Sequence, residues 1–235
     1  MKPELSYDAM QSAGDAEQLF ALVKNEARAL GFRHVSYVMS VPSLNSGVKW
    51  LRFEDMPEGW AALYAARKYG EIDPLLKRGP NSIVPLVWSQ KLFADAPRLW
   101  EDAQAFGLET GISQPCWAAR GVFGILTLLR DGPPLGAGEI AQLRRRLQVV
   151  ANLLHLAMYE LADVPAINRV GEICLTARER EILRWTSEGK TAEIIGAILN
   201  ISTRTVNFHI ANVLTKLVAV NKVQAVAKAR TFGLL

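Results

Sequence analysis

Four side chains between residues 204 and 211 carry chemistry that burial does not demand. Val206, Ile210, Val213 and Leu217 are spaced 4, 3 and 4, which is the buried stripe of an amphipathic helix. Arg204, Asn207, Phe208, Ala211 and Thr215 fall on the opposite face. A purely structural surface normally presents Glu and Lys there. This face has no acid, small residues that permit close approach, an amide and an aromatic ring. An Asn amide can pair bidentately with adenine, and Phe or Ala can meet a thymine methyl. Arg204, Lys190 and Lys216, with the hydroxyls of Thr191, Thr203 and Thr205, are of the types that hold phosphates. The plainer alternative is a four-helix protein-interaction module with a solvated outer face. His209 falls toward the scaffold in this register and is expected to be a buried packing or hydrogen-bonding histidine, neither a base reader nor a catalyst.

A second constellation lies in GWAALYAARKYGEIDPLL, residues 59–76. Trp60 and Tyr64 are one helical turn apart, Asp73 precedes Pro74, and Trp88 follows Pro85. Taken alone, aromatics at this spacing serve a core as readily as a ligand box, and Asp before Pro serves as an N-cap. Catalytic alternatives find little support. His34, His155 and His209 lack metal-ligand spacing, and Cys116 and Asp73 have no evident His partner. Neither a G-x-S-x-G elbow nor a P-loop occurs. Residues 1–60 lack the clustered acids of a phosphorylation-controlled receiver.

The elements that must position these residues are of two kinds. Residues 175–235 read as four short helices. Thr176 and Glu179 form a capping box; Thr191, Ser202 and Asn221 cap the next three helices, and Gly189 and Gly233 close the first and last. In the second helix Ile194, Ile195, Ile198 and Leu199 are expected to face inward. Helix, short turn and outward-reading helix is the helix-turn-helix arrangement, whose second helix enters the major groove. Residues 162–174 contain Pro165, Asn168 and Gly171, show no sustained helical period and read as a linker. Before them, helices are expected over 16–30, 58–69 and 139–161, and strands over 35–41, 48–53, 114–119 and 122–130, with a tight turn at Arg120-Gly121. Arg144, Arg145 and Arg146 are expected on a solvated face. This order suggests an α+β domain in which helices cover an antiparallel sheet.

The 235 residues suffice for one large or two modest domains, and half are apolar, so a sizeable core is available. The net charge of +4 lies wholly in residues 172–235, which hold nine Lys/Arg and five Asp/Glu. After Glu193 no acid follows. A small basic unit suggests a polyanion partner. Two distant cysteines, Cys116 and Cys174, fit a reduced compartment. The opening MKPELSYDAM lacks a signal-peptide layout, and no uncharged apolar run approaches the ~20 residues of a membrane span. The expectation is a cytoplasmic protein without membrane attachment.

Leu175-Thr176, Glu179, Glu181, Leu183, Gly189-Lys190-Thr191, Glu193-Ile194, Leu199, Ile201-Ser202, Thr205-Val206, His209, Asn212 and Lys216-Leu217 resemble the LuxR/GerE-type helix-turn-helix signature. Val213-Leu214-Thr215 stands where relatives often carry basic residues. Upstream, W-x3-Y-x8-D-P with Trp88, Gly111, Pro115 and Gly121 resembles the autoinducer-binding domain of LuxR-type quorum-sensing receptors. The resemblance implies an N-terminal α-β-α sandwich over 1–162, a linker over 163–174 and a DNA-binding domain over 175–235. It implies an N-acyl homoserine lactone as ligand, with no cofactor or metal. Trp60 would then donate to the lactone carbonyl and Tyr64 to the amide carbonyl. Asp73, ionised, would accept the amide N–H, and Thr127 and Ser113 would bond the acyl carbonyl. Trp88 would wall the head group. The implied partners are double-stranded DNA, a second copy of the chain and RNA polymerase. The resemblance leaves open an orphan regulator that answers to another small molecule or to none, and an enzyme acting on acyl lactones. Two departures bear on the ligand. Met56 stands where some members carry a Tyr, and Trp50 and Arg52 share one face of a strand that usually lines the acyl chain with aliphatics. An inward Arg52 would call for an anion partner or a polar ligand.

Overall fold

Residue 10, residues 12–169, residue 171 and residues 173–235 are described by the computed structural model. They form two units: the first holds the residues before Val41 with Trp50–Ala118 and Phe123–Asp163, and the second holds Val164–Leu235 with Val41–Lys49 and Ala119–Val122. In the first, α1 (Ala16–Ala29) starts where the Asp15 carboxylate accepts the Gln18 N–H at 2.8 Å. Alternating runs rich in β-branched and aromatic residues then build β1 (His34–Ser43) and β2 (Gly47–Asp55). α2 (Trp60–Ala66), α3 (Pro74–Arg78), the two-residue β3 (Leu86–Val87) and α4 (Pro97–Ala105) follow. β4 (Thr110–Trp117), β5 (Phe123–Arg130) and the long α5 (Ala137–Leu161) complete the unit. The sheet runs β2-β1-β5-β4-β3, with β5 antiparallel to β1 and β4. Arg120 and Gly121 both adopt positive φ, 61° and 72°, and make the expected tight turn before β5.

The two faces of the sheet do different work. On one, α5 packs over β4 and β5 and against α1. Gly124 lets the helix come this close, since a Cβ there would lie 2.5 Å from His155 Nδ1. The Tyr37 hydroxyl meets the same nitrogen at 2.5 Å. Arg146 corrects the solvated reading of its triplet: it pairs with Glu26, which is buried at the α1–α5 contact, while Arg144 and Arg145 are exposed. The other face carries α2, α3 and α4 over a core that includes Val38, Tyr69, Phe93, Leu99, Ile125 and Leu129.

The helix expected over 58–69 is shorter. It ends at Ala66, Lys68 turns left-handed at φ 53°, and Tyr69–Glu71 forms a 3-10 turn. A continued helix would carry Tyr69 about 140° away from Tyr64. The break instead buries Tyr69, whose hydroxyl donates to Asp102. β3 and α4 leave little mark on the sequence, because one is two residues long and the other opens on Pro97 with no capping side chain.

In the second unit a single helical turn, α6 (Val164–Asn168), stands where residues 162–174 show no helical period. Four helices follow: α7 (Ala177–Ser187), α8 (Ala192–Leu199), α9 (Thr203–Lys216) and α10 (Lys222–Thr231). All four expected caps form. Thr176 Oγ1 accepts the Glu179 N–H at 3.2 Å, and Glu179 Oε2 accepts the Thr176 N–H at 2.8 Å. Thr191, Ser202 and Asn221 accept from Ile194, Thr205 and Gln224. Ile182, Ile195, Val206 and Ile210 form one core, and Leu175, Leu183, Val213, Leu217, Ala225 and Ala229 another. The inward reading of α8 holds for Ile195 and in part for Leu199. Ile194 and Ile198 are instead 46 % and 45 % exposed. In an eight-residue helix the inner stripe is one side chain wide, and residues one position away lie about 100° around. Among the described residues, no helix is long and apolar enough to cross a membrane.

Candidate functional site

The helix-covered face of the sheet encloses a cavity of ≈490 Å³. Trp60, Tyr64, Asp73, Trp88 and Thr127 line it, among Val38, Ala61, Leu75, Leu76, Phe93 and Ile125. Ser113 is not in the wall. It is fully buried behind it, where its Oγ accepts from Trp88 Nε1 and meets Thr127 Oγ1, both at 2.9 Å. Strand register explains the row: Ser113 lies opposite Thr127, and Thr127 opposite Ser36, so three hydroxyls cross β4, β5 and β1 on one face. Trp88 reaches them because Gly111 has no side chain; a Cβ there would stand 3.1 Å from Trp88 Cγ.

Asp73 caps a helix and faces the cavity with the same carboxylate. Oδ1 accepts the Leu75 N–H at 2.8 Å and caps α3. Oδ2 accepts the Tyr64 hydroxyl at 2.8 Å on the cavity side. Burial pushes the Asp73 carboxyl above its usual range, and the Tyr64 hydrogen bond, the Leu75 amide and the Arg52 charge only partly offset it. Tyr64 is likewise raised, first by burial and then by the Asp73 charge, so its hydroxyl stays a donor. The Trp60 indole N–H has no hydrogen-bond partner among the described residues, and its ring packs on Tyr64 and Phe106 at 6.0 and 5.5 Å. Two donors and one carboxylate thus converge inside a largely apolar hollow. That arrangement suits a small molecule with a polar head and an apolar body. Cys116 is no rival centre: it is buried, and burial raises its thiol well above the usual value.

β2 and the residue after it supply more of the wall. Trp50, Arg52 and Glu54 of β2, with Met56 just beyond it, reach the cavity, while Phe53 points the other way onto Phe20 and Tyr37. Arg52 therefore faces in, and its anion partner is Glu54 at 3.5 Å. Glu54 also accepts from Ser36 at 3.3 Å. Ser36, Glu54, Lys68 and Glu71 were missed by sequence reasoning. For Ser36 and Glu54 the available signal was alternation from Arg52 and the register of β1.

In the second unit, Asn200 at φ 52° turns the chain between α8 and α9. Gly196 is required there, because a Cβ would sit 2.7 Å from the Ile201 carbonyl. α9 then presents Thr203, Arg204, Asn207, Phe208, Ala211 and Thr215 to solvent, and Phe208 is 62 % exposed. Lys190 and Thr191 are also exposed at the start of α8. Thr205 is half-buried, its hydroxyl 2.8 Å from Ser202. Two expectations change. Lys216 is no free surface cation; its ammonium bonds Glu179 at 2.7 Å and the Cys174 carbonyl at 2.9 Å. Its scaffold role follows from the buried Glu179 carboxylate, which needs a partner. Burial alone would raise Glu179, but Lys216 and Thr176 together hold it below its usual range. His209 is half-buried rather than buried, edge-on to Phe208 at 5.6 Å.

Residues 15–158 match the autoinducer binding domain family, and residues 174–229 match the bacterial regulatory proteins of the luxR family. The transcriptional activator protein SolR of Ralstonia nicotianae is 44 % identical over 98 % of this chain and 97 % of its own. The quorum-sensing regulator RhlR of Pseudomonas aeruginosa is 34 % identical over 96 % and 93 %. Among solved structures, SdiA in complex with octanoyl-rac-glycerol superimposes with a TM-score of 0.75, at 32 % identity, over 97 % of this chain and 93 % of that one.

Proposed function

We propose that this chain, which belongs to the LuxR family of quorum-sensing transcriptional regulators, senses an N-acyl homoserine lactone and answers by binding a palindromic promoter site as a dimer. Residues 1–162 would form the sensor, 163–174 the connection and 175–235 the DNA reader. The family is one of transcriptional regulators and not of enzymes.

The observation that carries the ligand reading is the convergence of Trp60, Tyr64 and Asp73 on one cavity. Their polarities match an acyl lactone head: Trp60 donates to the lactone carbonyl, the Tyr64 hydroxyl turns from Asp73 to donate to the amide carbonyl, and Asp73 then accepts the amide N–H. Thr127 bonds this same amide carbonyl, which is the acyl group's own, with Ser113 bracing it from behind, and Trp88 walls the head group. A dry pocket requires each buried polar group to be paired, and this ligand pairs them. SdiA, a similar protein, is solved in complex with octanoyl-rac-glycerol, which supports a ligand with an acyl tail here. Octanoyl-rac-glycerol is an ester without an amide N–H, so it is the informative control.

On the DNA side, Asn207, Phe208 and Ala211 read base edges, while Lys190, Thr191, Thr203, Arg204 and Thr205 hold phosphates. Lys216 acts indirectly, by fixing the end of α9. RNA polymerase is the expected further partner of a promoter-bound regulator. Mass spectrometry of small molecules released from the purified protein tests the ligand reading. An acyl homoserine lactone at near-stoichiometric yield supports it. A different molecule, or none combined with no calorimetric binding of acyl lactones, overturns it.

A further inference from the structure

Arg52 is unusual in an otherwise apolar wall. Its guanidinium lies over the Tyr64 ring, with Cζ 5.3 Å from the centroid. Gly70 flanks both groups: a Cβ there would lie 3.8 Å from Tyr64 Cε1 and 3.9 Å from Arg52 Nη2. The far side of Arg52 is held by Glu54 at 3.5 Å, and Glu54 in turn by Ser36. Tyr64 donates to Asp73 at 2.8 Å. A continuous path therefore runs from Ser36 and Glu54 on the sheet through Arg52 to Tyr64 and Asp73 on the helices.

Charge on the cavity wall is sparse. β2 brings Arg52 and Glu54, the segment after α2 brings Lys68 and Glu71, and the start of α3 brings Asp73. Lys68 and Glu71 are exposed, whereas Asp73 is buried. Arg52 is the cation whose charge acts on Asp73, in the direction that favours the carboxylate. A cation over the Tyr64 ring is attracted by the ring's negative face. It also polarises the hydroxyl toward its acceptor.

We propose that Arg52 is a positioning residue of the sensor: its guanidinium, laid over the Tyr64 ring and braced by Glu54, holds Tyr64 beside Asp73, and its charge joins the hydrogen bonds that favour the Asp73 carboxylate. This deepens the acyl lactone reading, since a ligand amide N–H needs an ionised Asp73, but the Arg52–Tyr64–Asp73 linkage exists without ligand. An Arg52→Met variant keeps length and removes charge; Arg52→Lys keeps charge and loses the planar stack.

The test uses the full chain, with Asp carboxyl carbons labelled with ¹³C and followed by NMR from pH 4 to 8; Asp73→Asn assigns the Asp73 signal. In Arg52→Met, Asp73 should titrate about half a pH unit or more above wild type, and in Arg52→Lys the shift should be smaller. N-octanoyl homoserine lactone is then titrated into each variant. Arg52→Met should bind roughly threefold or more weakly near pH 6, recover as pH rises, and lose nothing further in an Asp73→Asn background. An unchanged Asp73 titration overturns the proposal, as does an affinity loss equal at every pH and retained with Asp73→Asn. If wild type fails to bind the lactone while the Asp73 shift appears, the positioning role stands and the ligand reading falls. If Arg52→Met does not fold, the Arg52→Lys titration decides alone: no upward shift overturns the proposal.

Discussion

Asp73 holds a helix end and a cavity wall with the same carboxylate. Asn caps a helix nearly as well as Asp, so Asp73→Asn separates the two duties. It removes a charge-assisted acceptor worth roughly 1.5–3 kcal/mol. Acyl lactone affinity should fall at least ~10-fold, which needs only ~1.4 kcal/mol, while ligand-free stability should hold. Calorimetry on both proteins checks this, and unchanged affinity would leave Asp73 as a cap only. The raised Asp73 carboxyl also fixes a pH trend. The folded, ligand-free protein binds this proton more tightly than the unfolded chain. Its contribution to stability is therefore lost as pH rises through the raised value. Lactone affinity should climb over the same window, because the ligand's N–H prefers the carboxylate. On α9, Asn207→Ala should cost roughly 1–3 kcal/mol at the specific site and relax preference at one base position. Arg204→Ala should weaken binding to all sequences and flatten the salt dependence. Binding assays on specific and random DNA at several salt concentrations distinguish them, and equal losses on both DNAs for both variants would refute the division.

At the scale of elements, the α7 N-terminus and the α9 C-terminus are joined through one acid. Glu179 completes the capping box and pairs with Lys216, and it is 2 % exposed. Glu179→Ala strips the cap and strands an ammonium, so it should destabilise the second unit by roughly 2–3 kcal/mol. Thr176→Ala, which removes one side of the box, should cost only about 1 kcal/mol. Thermal unfolding of the full chain, followed by a probe in the second unit such as Trp185 fluorescence, measures both. Similar losses would show that the Lys216 pair adds nothing. Since Glu179 is held below its usual value, its stabilisation is present above the unfolded carboxyl's range and disappears as pH falls through the lowered one. The two units thus carry acids with opposite pH signs.

For the whole molecule, one reading helix per chain predicts binding to DNA in pairs. Half-sites should lie about one helical turn apart, ~34 Å, or a multiple of it. α10 is short and presents Val223 at 79 % exposure, a candidate surface for self-pairing. Footprinting that finds a single, non-palindromic half-site would count against the dimer. A ligand that binds only the folded sensor adds RT ln(1 + [L]/Kd), about 2.7 kcal/mol at a hundredfold excess over Kd. Acyl lactone should therefore raise the unfolding temperature in wild type and much less in Asp73→Asn.

Local signals determined the second unit almost fully. Each of α7 to α10 begins at a hydroxyl or amide cap and stays within about four turns, so sequence-near physics suffices there. Asn207, Phe208 and Arg204 were legible as outward because a single helical period phases them against Val206 and Ile210. Two things escaped that logic. Ile194 and Ile198 look like core by type, but only the packed domain decides how wide the inner stripe of α8 is. Lys216 looks like a phosphate holder by charge, but its partner Glu179 lies 37 residues away. In the first unit, the resemblance of Trp60, Tyr64 and Asp73 to a known pattern singled them out, whereas their convergence is a tertiary fact. Ser36, Thr127 and Ser113 fall in one row only once three strands are in register. Arg52 could be assigned to a strand face from alternation, but not to the inside or the outside. That depended on which face of β2 met α1 and which met α2, a choice made by Phe53 packing on Phe20 and Tyr37. Period fixes which residues share a face; only the burial of one face against another element decides which of them meet the ligand.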